Sequence, residues 1–288
     1  MRRLLPLVGA VLALLAHVHV AQARDQLGQR DPVVIDPQKA YIFFRSNIRA
    51  DLRLLREVTP AQAEAHAAAR ETAFARAHDR QQRRIVQWER LQSSCRDNAR
   101  LAYCADPRPD EMMRDAFEAS YPPPEMGNFV DIMGGRLFAR DGDNRGYFMT
   151  LEPGVYTIYG DMIASANGVI GTCLCMGSVT FEARAGEIAD LGEIGYPIAE
   201  AIRAGRSYNP GISNLTAMSL TPYTESMASP DRLAGHSIVP ARFRAADKMP
   251  NYFGILVSRM TPVAGVLGYE RDRVIDVASA GTETATSD

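Results

Sequence analysis

Apolar and polar residues alternate with a period of two most densely between Tyr147 and Ile194. Tyr147 to Leu151 and Val155 to Tyr159 are rich in β-branched and aromatic residues, and Glu152-Pro153-Gly154 separates them. Pro presets φ at the second position of a turn and Gly accepts the third, so the pair reads as strand, turn, strand. Val179 to Ala183 alternates as a strand with one wet face does. Arg184 to Glu187 is a hairpin tip, and Ile188 to Ile194 is the return strand. Upstream, Lys39 to Arg45 and Leu52 to Val58 read as strands. So do Phe129 to Met133 and Arg136 to Arg140, which Gly134-Gly135 divides. Downstream, Ile238 to Ala245, Tyr252 to Ser258, Val263 to Tyr269 and Arg273 to Val277 follow, with a turn at Glu270 to Asp272. About ten short strands separated by turns predict a mainly β chain folded as an antiparallel β-sandwich.

One segment breaks that pattern. Thr59-Pro60-Ala61-Gln62 combines an N-cap, a Pro at the first helical position and a capping-box Gln. From there to about Ser94 the chain is rich in Ala, Arg, Glu and Gln, with no Gly or Pro after Pro60, so a long helix is expected. Its apolar stripe (Phe74, Ala77, Ile85, Trp88, Leu91) suits packing against one neighbour. A bend at Cys95 to Cys104 and a shorter helix over Asp110 to Ser120 complete a helical hairpin over residues 59–121, inserted into the β domain. Pro197 to Ala204 reads as a short helix, and residues 206–231 as a long polar loop of the kind that carries function.

The first residues change where the protein is placed. Arg2 and Arg3, the apolar run Leu4 to Ala16 and the small-x-small Ala21-Gln22-Ala23 form a signal peptide over residues 1–23. The apolar run is shorter than the ~20 residues of a spanning helix, so retention as an anchor is the lesser reading. Residues 24–58 then supply an arm and the first strands, 122–277 the rest of the sandwich, and the tail from Ala278 has nothing to bury. The chain is read as periplasmic or secreted, with no stable span after cleavage. Its formal charge of −2 points to no polyanion partner, and the basic residues are all arginine except Lys39 and Lys248. No arginine run is interleaved with aromatics, so no nucleic acid is expected.

Leu151-Glu152-Pro153-Gly154-Val155-Tyr156-Thr157-Ile158 resembles the turn and strand of transthyretin-like and collagen-adhesin B-type sandwich modules. With Phe181 to Gly192, residues 129–194 are similar to uncharacterised bacterial envelope proteins related to small lipoproteins with β-sandwich domains. That resemblance implies a transthyretin-like or Ig-like fold and an envelope location, and it carries no catalytic residues. The helical insertion and the lack of a lipoprotein Cys depart from it.

Several groups of residues bear on chemistry. Cys95, Cys104, Cys173 and Cys175 are an even number in an exported chain, so disulfides are the default. Cys95–Cys104 would pin the helical bend, and Cys173–Cys175 is slightly favoured over pairings that tie the insertion to the sandwich. Cys173, Cys175 and Met176 also offer soft ligands for copper. Asp141, Asp143 and Glu152 match acidic positions of a calcium loop, but Arg145 puts a cation where an oxygen belongs and the flanks read as strands. A solvated hairpin is preferred. His236 is the one plausible general base, though no nucleophile elbow accompanies it and Ser226 and Ser229 lie in a loop. The helix arginines (Arg76, Arg80, Arg83, Arg84, Arg90) are diluted by Glu64, Glu71, Asp79 and Glu89, which reads as a solvated face. No cofactor and no catalytic residue are expected. The reading is a non-enzymatic envelope or protein-interaction module, acting through the helical hairpin or the 206–231 loop. A hydrolase using His236 and a calcium or copper protein are the alternatives.

Overall fold

Ala40–Ser46 (AYIFFRS) is buried at every one of its seven positions, as an apolar run flanked by turn residues requires of a central strand. Its even-numbered side chains enter one core cluster with Ala40, Ile42 and Phe44; Tyr41 and Phe43 enter a second on the opposite face. Each aromatic ring so buried contributes roughly 1.5–3 kcal/mol. The rest of the β structure is arranged around this strand.

The computed structural model describes residues 26–47, 51–95, 104, 106–132, 136–142, 144–165, 168–195 and 218–279. The signal segment, all of residues 96–103 in the expected bend, Gly134-Gly135, Asp143, the stretch expected to be helical at 197–204, residues 206–217 of the long loop and the tail from 280 lie outside them. Among the described residues the strands are β1 (Gln26–Leu27), β2 (Ala40–Ser46), β3 (Leu52–Arg56), β4 (Phe129–Ile132), β5 (Ala139–Asp141), β6 (Asn144–Leu151), β7 (Gly154–Ser165) and β8 (Gly168–Cys173). They continue with β9 (Ser178–Ala183), β10 (Ile188–Gly195), β11 (Ser219–Thr221), β12 (Ile238–Pro240), β13 (Phe243–Ala246), β14 (Leu256–Val257), β15 (Leu267–Glu270) and β16 (Arg273–Asp276). One sheet runs β1-β6-β2-β10-β11, with β5 on β6 and β12 on β10. A second runs β13-β9-β7-β3-β4, with β8 on β7 and β14 on β8; β15 and β16 form a hairpin. The main core cluster draws from both large sheets: Ile42, Met149 and Leu191 from the first, Leu54, Ile158 and Phe181 from the second.

The expectation of wholly antiparallel sheets is corrected. β10 runs parallel to both β2 and β12, and β14 parallel to β8, so both large sheets are mixed. The stretch 238–245 also divides, because Pro240 has no N–H to donate and the chain bends before β13.

The chain forms two compact units. Residues up to Glu57 and from Asn128 onward make the β unit; Val58–Gly127 makes the other. Within the β unit, β3 and β4 are antiparallel partners, Leu55 opposite Phe129, and the Arg56 N–H donates to the Asn128 carbonyl at 3.0 Å. Residues 58–127 therefore stand where a hairpin loop between β3 and β4 would be. Loop-closure entropy grows only slowly with length, so such a site accepts a long insertion.

In the second unit, α1 (Pro60–Cys95) opens on the capping box: the Thr59 N–H donates to Gln62 Oε1 at 3.0 Å and the Gln62 N–H to Thr59 Oγ1 at 3.2 Å. These two bonds satisfy N–H groups that the helix start leaves open, an effect of about 1 kcal/mol. Thirty-six residues give a rod of about 54 Å, with Ile85 its one buried residue. The return arm runs back along it. Trp88 Nε1 donates to the Asp106 carbonyl at 2.9 Å, Phe74 meets Phe117 at 5.4 Å, and His66 Nε2 donates to the Pro122 carbonyl at 2.9 Å. The second helix is shorter than its residue pattern predicts. It is α2 (Arg114–Ser120), seven residues, with Met113 at its N-cap supplying no side-chain cap, and 106–113 is not helical. Cys95 is paired with Cys104, their Cα atoms 5.7 Å apart.

Candidate functional site

β2 continues past Phe43 to Arg45 on the same face, since side chains two apart share a side of a strand. The neighbouring strands place their residues by register: on β6, Gly146 lies opposite Arg45 and Phe148 opposite Phe43; on β10, Asp190 lies beside Phe43. Gly146 has no side chain to fill its place in this row, and a Cβ there would come within 2.9 Å of the Phe43 ring. A cavity of about 250 Å³ opens at this point. Phe43, Arg45 and Gly146 line it from the sheet, Arg140 and Asn144 from the β5–β6 hairpin, and Ala228 to Asp231 from the end of the long loop.

Arg45, which lines this cavity, forms a buried ion pair with Asp190. Arg45 Nη1 donates to both Asp190 oxygens at 2.9 and 3.1 Å, and the Gly192 N–H donates to Asp190 Oδ1 at 2.8 Å. Gly192 has φ +86, and a Cβ there would collide with the Thr221 carbonyl, so only glycine turns the backbone onto the carboxylate. The same arginine donates through Nη2 to the Ala228 carbonyl at 2.7 Å, fixing the loop above the sheet, and its guanidinium lies 4.7 Å from the Phe43 ring centroid. Complete burial pushes the Asp190 carboxyl up, against the opposing pull of Arg45 and the Gly192 N–H. A charge pair this deep is expensive to desolvate and holds only when its remaining bonds are made.

A second buried pair, Arg53 with Asp131, joins β3 to β4 as a bidentate contact. Arg53 also lies over Phe253 and Phe129, at 4.6 and 5.6 Å from their centroids.

Comparison with protein-family models, curated proteins and solved structures finds no match for this chain. The site is therefore read from its own geometry.

The residues that the sequence singled out are scattered. Glu152 follows β6 and pairs with Lys39, whereas Asp141 precedes β6 and faces Asn144 across the hairpin. The eight residues of β6 put about 25 Å between them, so calcium ligands do not converge; the side chain of Asp141 and all of Asp143 lie outside the described residues. Gly142, at φ +55, makes the tight turn. Cys173 and Cys175 are paired with each other, Cα atoms 5.1 Å apart, and buried, so their sulfurs are not open to a metal. Among the described residues no group of three His, Cys, Asp or Glu could hold a metal ion. His236 is half-buried on the turn after the 3₁₀ helix Asp231–Leu233, and among the described residues no Ser, Asp or Glu hydrogen-bonds its ring. Ser226 instead shares a hydrogen bond with Thr224 at 2.9 Å. No described helix is long and apolar enough to cross a membrane.

Of the 206–231 loop, its last residues do reach the cavity. Arg45, Arg140 and Asp190 carry no motif, and Asn144 stands in the Asp141 to Gly146 stretch only as a turn residue. The available signal was a charge closing or interrupting a wholly apolar strand, Arg45 in YIFFR and Asp190 in IADLG, where a charged residue is buried only with a partner.

Proposed function

We propose that this chain is an exported, non-enzymatic interaction module of the bacterial envelope. In this reading the two large sheets form a sandwich of transthyretin-like or Ig-like kind, residues 1–23 are a signal peptide, and residues 58–127 are a helical-hairpin insertion that presents a partner surface. The observation that carries it is the exposure of α1, a rod of thirty-six residues with one buried side chain, grafted at a hairpin position of a β unit that has its own core. So long an exposed element buries little apolar surface, and it adds correspondingly little to stability. Within the β unit, the buried Arg45–Asp190 pair holds the loop ending at Asp231 through the Arg45 bond to the Ala228 carbonyl.

The test is complementation of a strain lacking the protein. A variant with residues 58–127 replaced by a two-residue Asn-Gly turn should fold, retain its β circular-dichroism signal and fail to complement. His236→Ala should complement fully. Loss of complementation by His236→Ala with folding intact would replace the interaction module with an enzyme, and full complementation by the deletion would remove the insertion from the function.

A further inference from the structure

We infer that the cavity beside Arg45 is a binding site for a small carboxylate-bearing ligand, a short hydroxy- or amino-acid. This rests on the binding-module reading in one respect only, that the β unit recognises something and does not transform it. Arg45 is 5% exposed and lines the cavity. A guanidinium carries five N–H groups. Nη1 is spent on Asp190 and one N–H of Nη2 on Ala228, so Nε–H and the second Nη2–H meet no partner among the described residues. These N–H groups open onto the cavity, and a carboxylate oxygen placed there accepts from them in a charge-assisted hydrogen bond, stronger than one to water.

The neighbouring chemistry agrees. Arg140 and Asn144 line the same space, and neither side chain has a hydrogen-bond partner among the described residues. Asp190 offsets the charge of Arg45, so Arg140 makes the donor end of the cavity net positive, which favours a carboxylate over a neutral polyol. Asp231, on the other lining segment, faces the same space with an acceptor and a negative charge. It complements a hydroxyl or ammonium on the ligand's second carbon. Phe43 supplies the apolar floor, and the missing side chain at Gly146 supplies the room. At about 250 Å³ the cavity is smaller than the sites that hold drug-sized molecules, ~300–1,000 Å³, which limits the ligand to a few carbons.

The experiment is a titration of the full exported chain, isotope-labelled and with its disulfides intact, followed by NMR at neutral pH. L-lactate and L-alanine are the probes, with inorganic phosphate and glucose run in parallel, each taken to about 50 mM so that a millimolar site saturates. The expected result is a saturable shift of the Arg45 Nε–H and of the Gly146 and Ser229 amides with lactate or alanine. Arg140→Gln, a substitution at an exposed position, should weaken that binding about tenfold or more, and Arg140→Lys should restore part of it. The proposal is overturned if neither carboxylate gives a saturable shift at these residues, if Arg140→Gln binds as well as the parent, or if phosphate or glucose binds there more tightly than both carboxylates. Any of these can occur while the insertion deletion still fails to complement, so the failure of this inference is separable from the failure of the module reading.

Discussion

Replacing Arg45 by Met keeps the length and apolar stem of the side chain and removes its charge. Asp190, which has no exposed surface, then loses both bonds to Nη1 and keeps only the Gly192 N–H. Breaking a buried pair from one side leaves an uncompensated charge, at about 3–5 kcal/mol. Losing the bond to the Ala228 carbonyl adds little, because Ala228 is exposed and water replaces the donor. The cost should depend on pH with a definite sign. Burial already raises the Asp190 carboxyl, and removing Arg45 raises it further. A folded-state value above the unfolded one means that the native protein binds the extra proton. The stabilising contribution is therefore complete below the ordinary Asp range and is lost as pH rises through the folded value. The Arg45→Met defect should thus be largest near neutrality and shrink in acid. Asp190→Asn added to Arg45→Met should recover stability at neutral pH, giving a coupling of about 2 kcal/mol or more in a double-mutant cycle. Urea unfolding read by tyrosine near-ultraviolet dichroism follows the β unit, while the lone Trp88, in the other unit, is an internal control by fluorescence. A loss below about 1 kcal/mol, the range of an exposed pair, or a loss independent of pH would refute the reasoning.

Three further outcomes are expected. Gly192→Ala forces a Cβ into a left-handed conformation against the Thr221 carbonyl and should cost about 2 kcal/mol or more in urea melts, loosening β11 from β10. Cys95→Ser with Cys104→Ser opens a bridge of sequence separation 9, which the chain-entropy relation values at about 2–3 kcal/mol; the Trp88 transition should move and the β-unit transition should not. Burial raises the Asp161 carboxyl, opposed by the Thr172 N–H that it accepts at 3.0 Å and reinforced by Asp51. By the same sign rule its ionised form disfavours folding above the carboxylate range, so Asp161→Asn, which keeps the acceptor, should gain stability relative to the parent as pH rises. A gain that instead grows as pH falls counts against that assignment.

Much of the local structure could be read directly. Thr59 and Gln62 are adjacent capping partners, so the start of α1 needed nothing from the rest of the chain. The Pro153-Gly154 turn and the strands around it follow from residues within reach of one another. The helix expected over Asp110 to Ser120 begins only at Arg114, since helix-forming residues alone do not nucleate so short a helix and no side chain caps its start. The cavity was not legible, since its lining comes from β2, from the β5–β6 hairpin and from residues 228–231, none of which signals the others.

The kind of element at each stretch is written in neighbouring residues: alternation and β-branching make strands, and a capped Ala- and Arg-rich run makes a helix. These are interactions between near neighbours and cost no loop closure. Which strands pair, and in which direction, depends on contacts between segments far apart in the chain. β10 aligns parallel to β2, with Ile188 beside Tyr41 and Asp190 beside Phe43, a pairing of distant segments whose two faces enter different core clusters. That alignment brings Asp190 to Arg45 across 145 residues, and the site exists because of it.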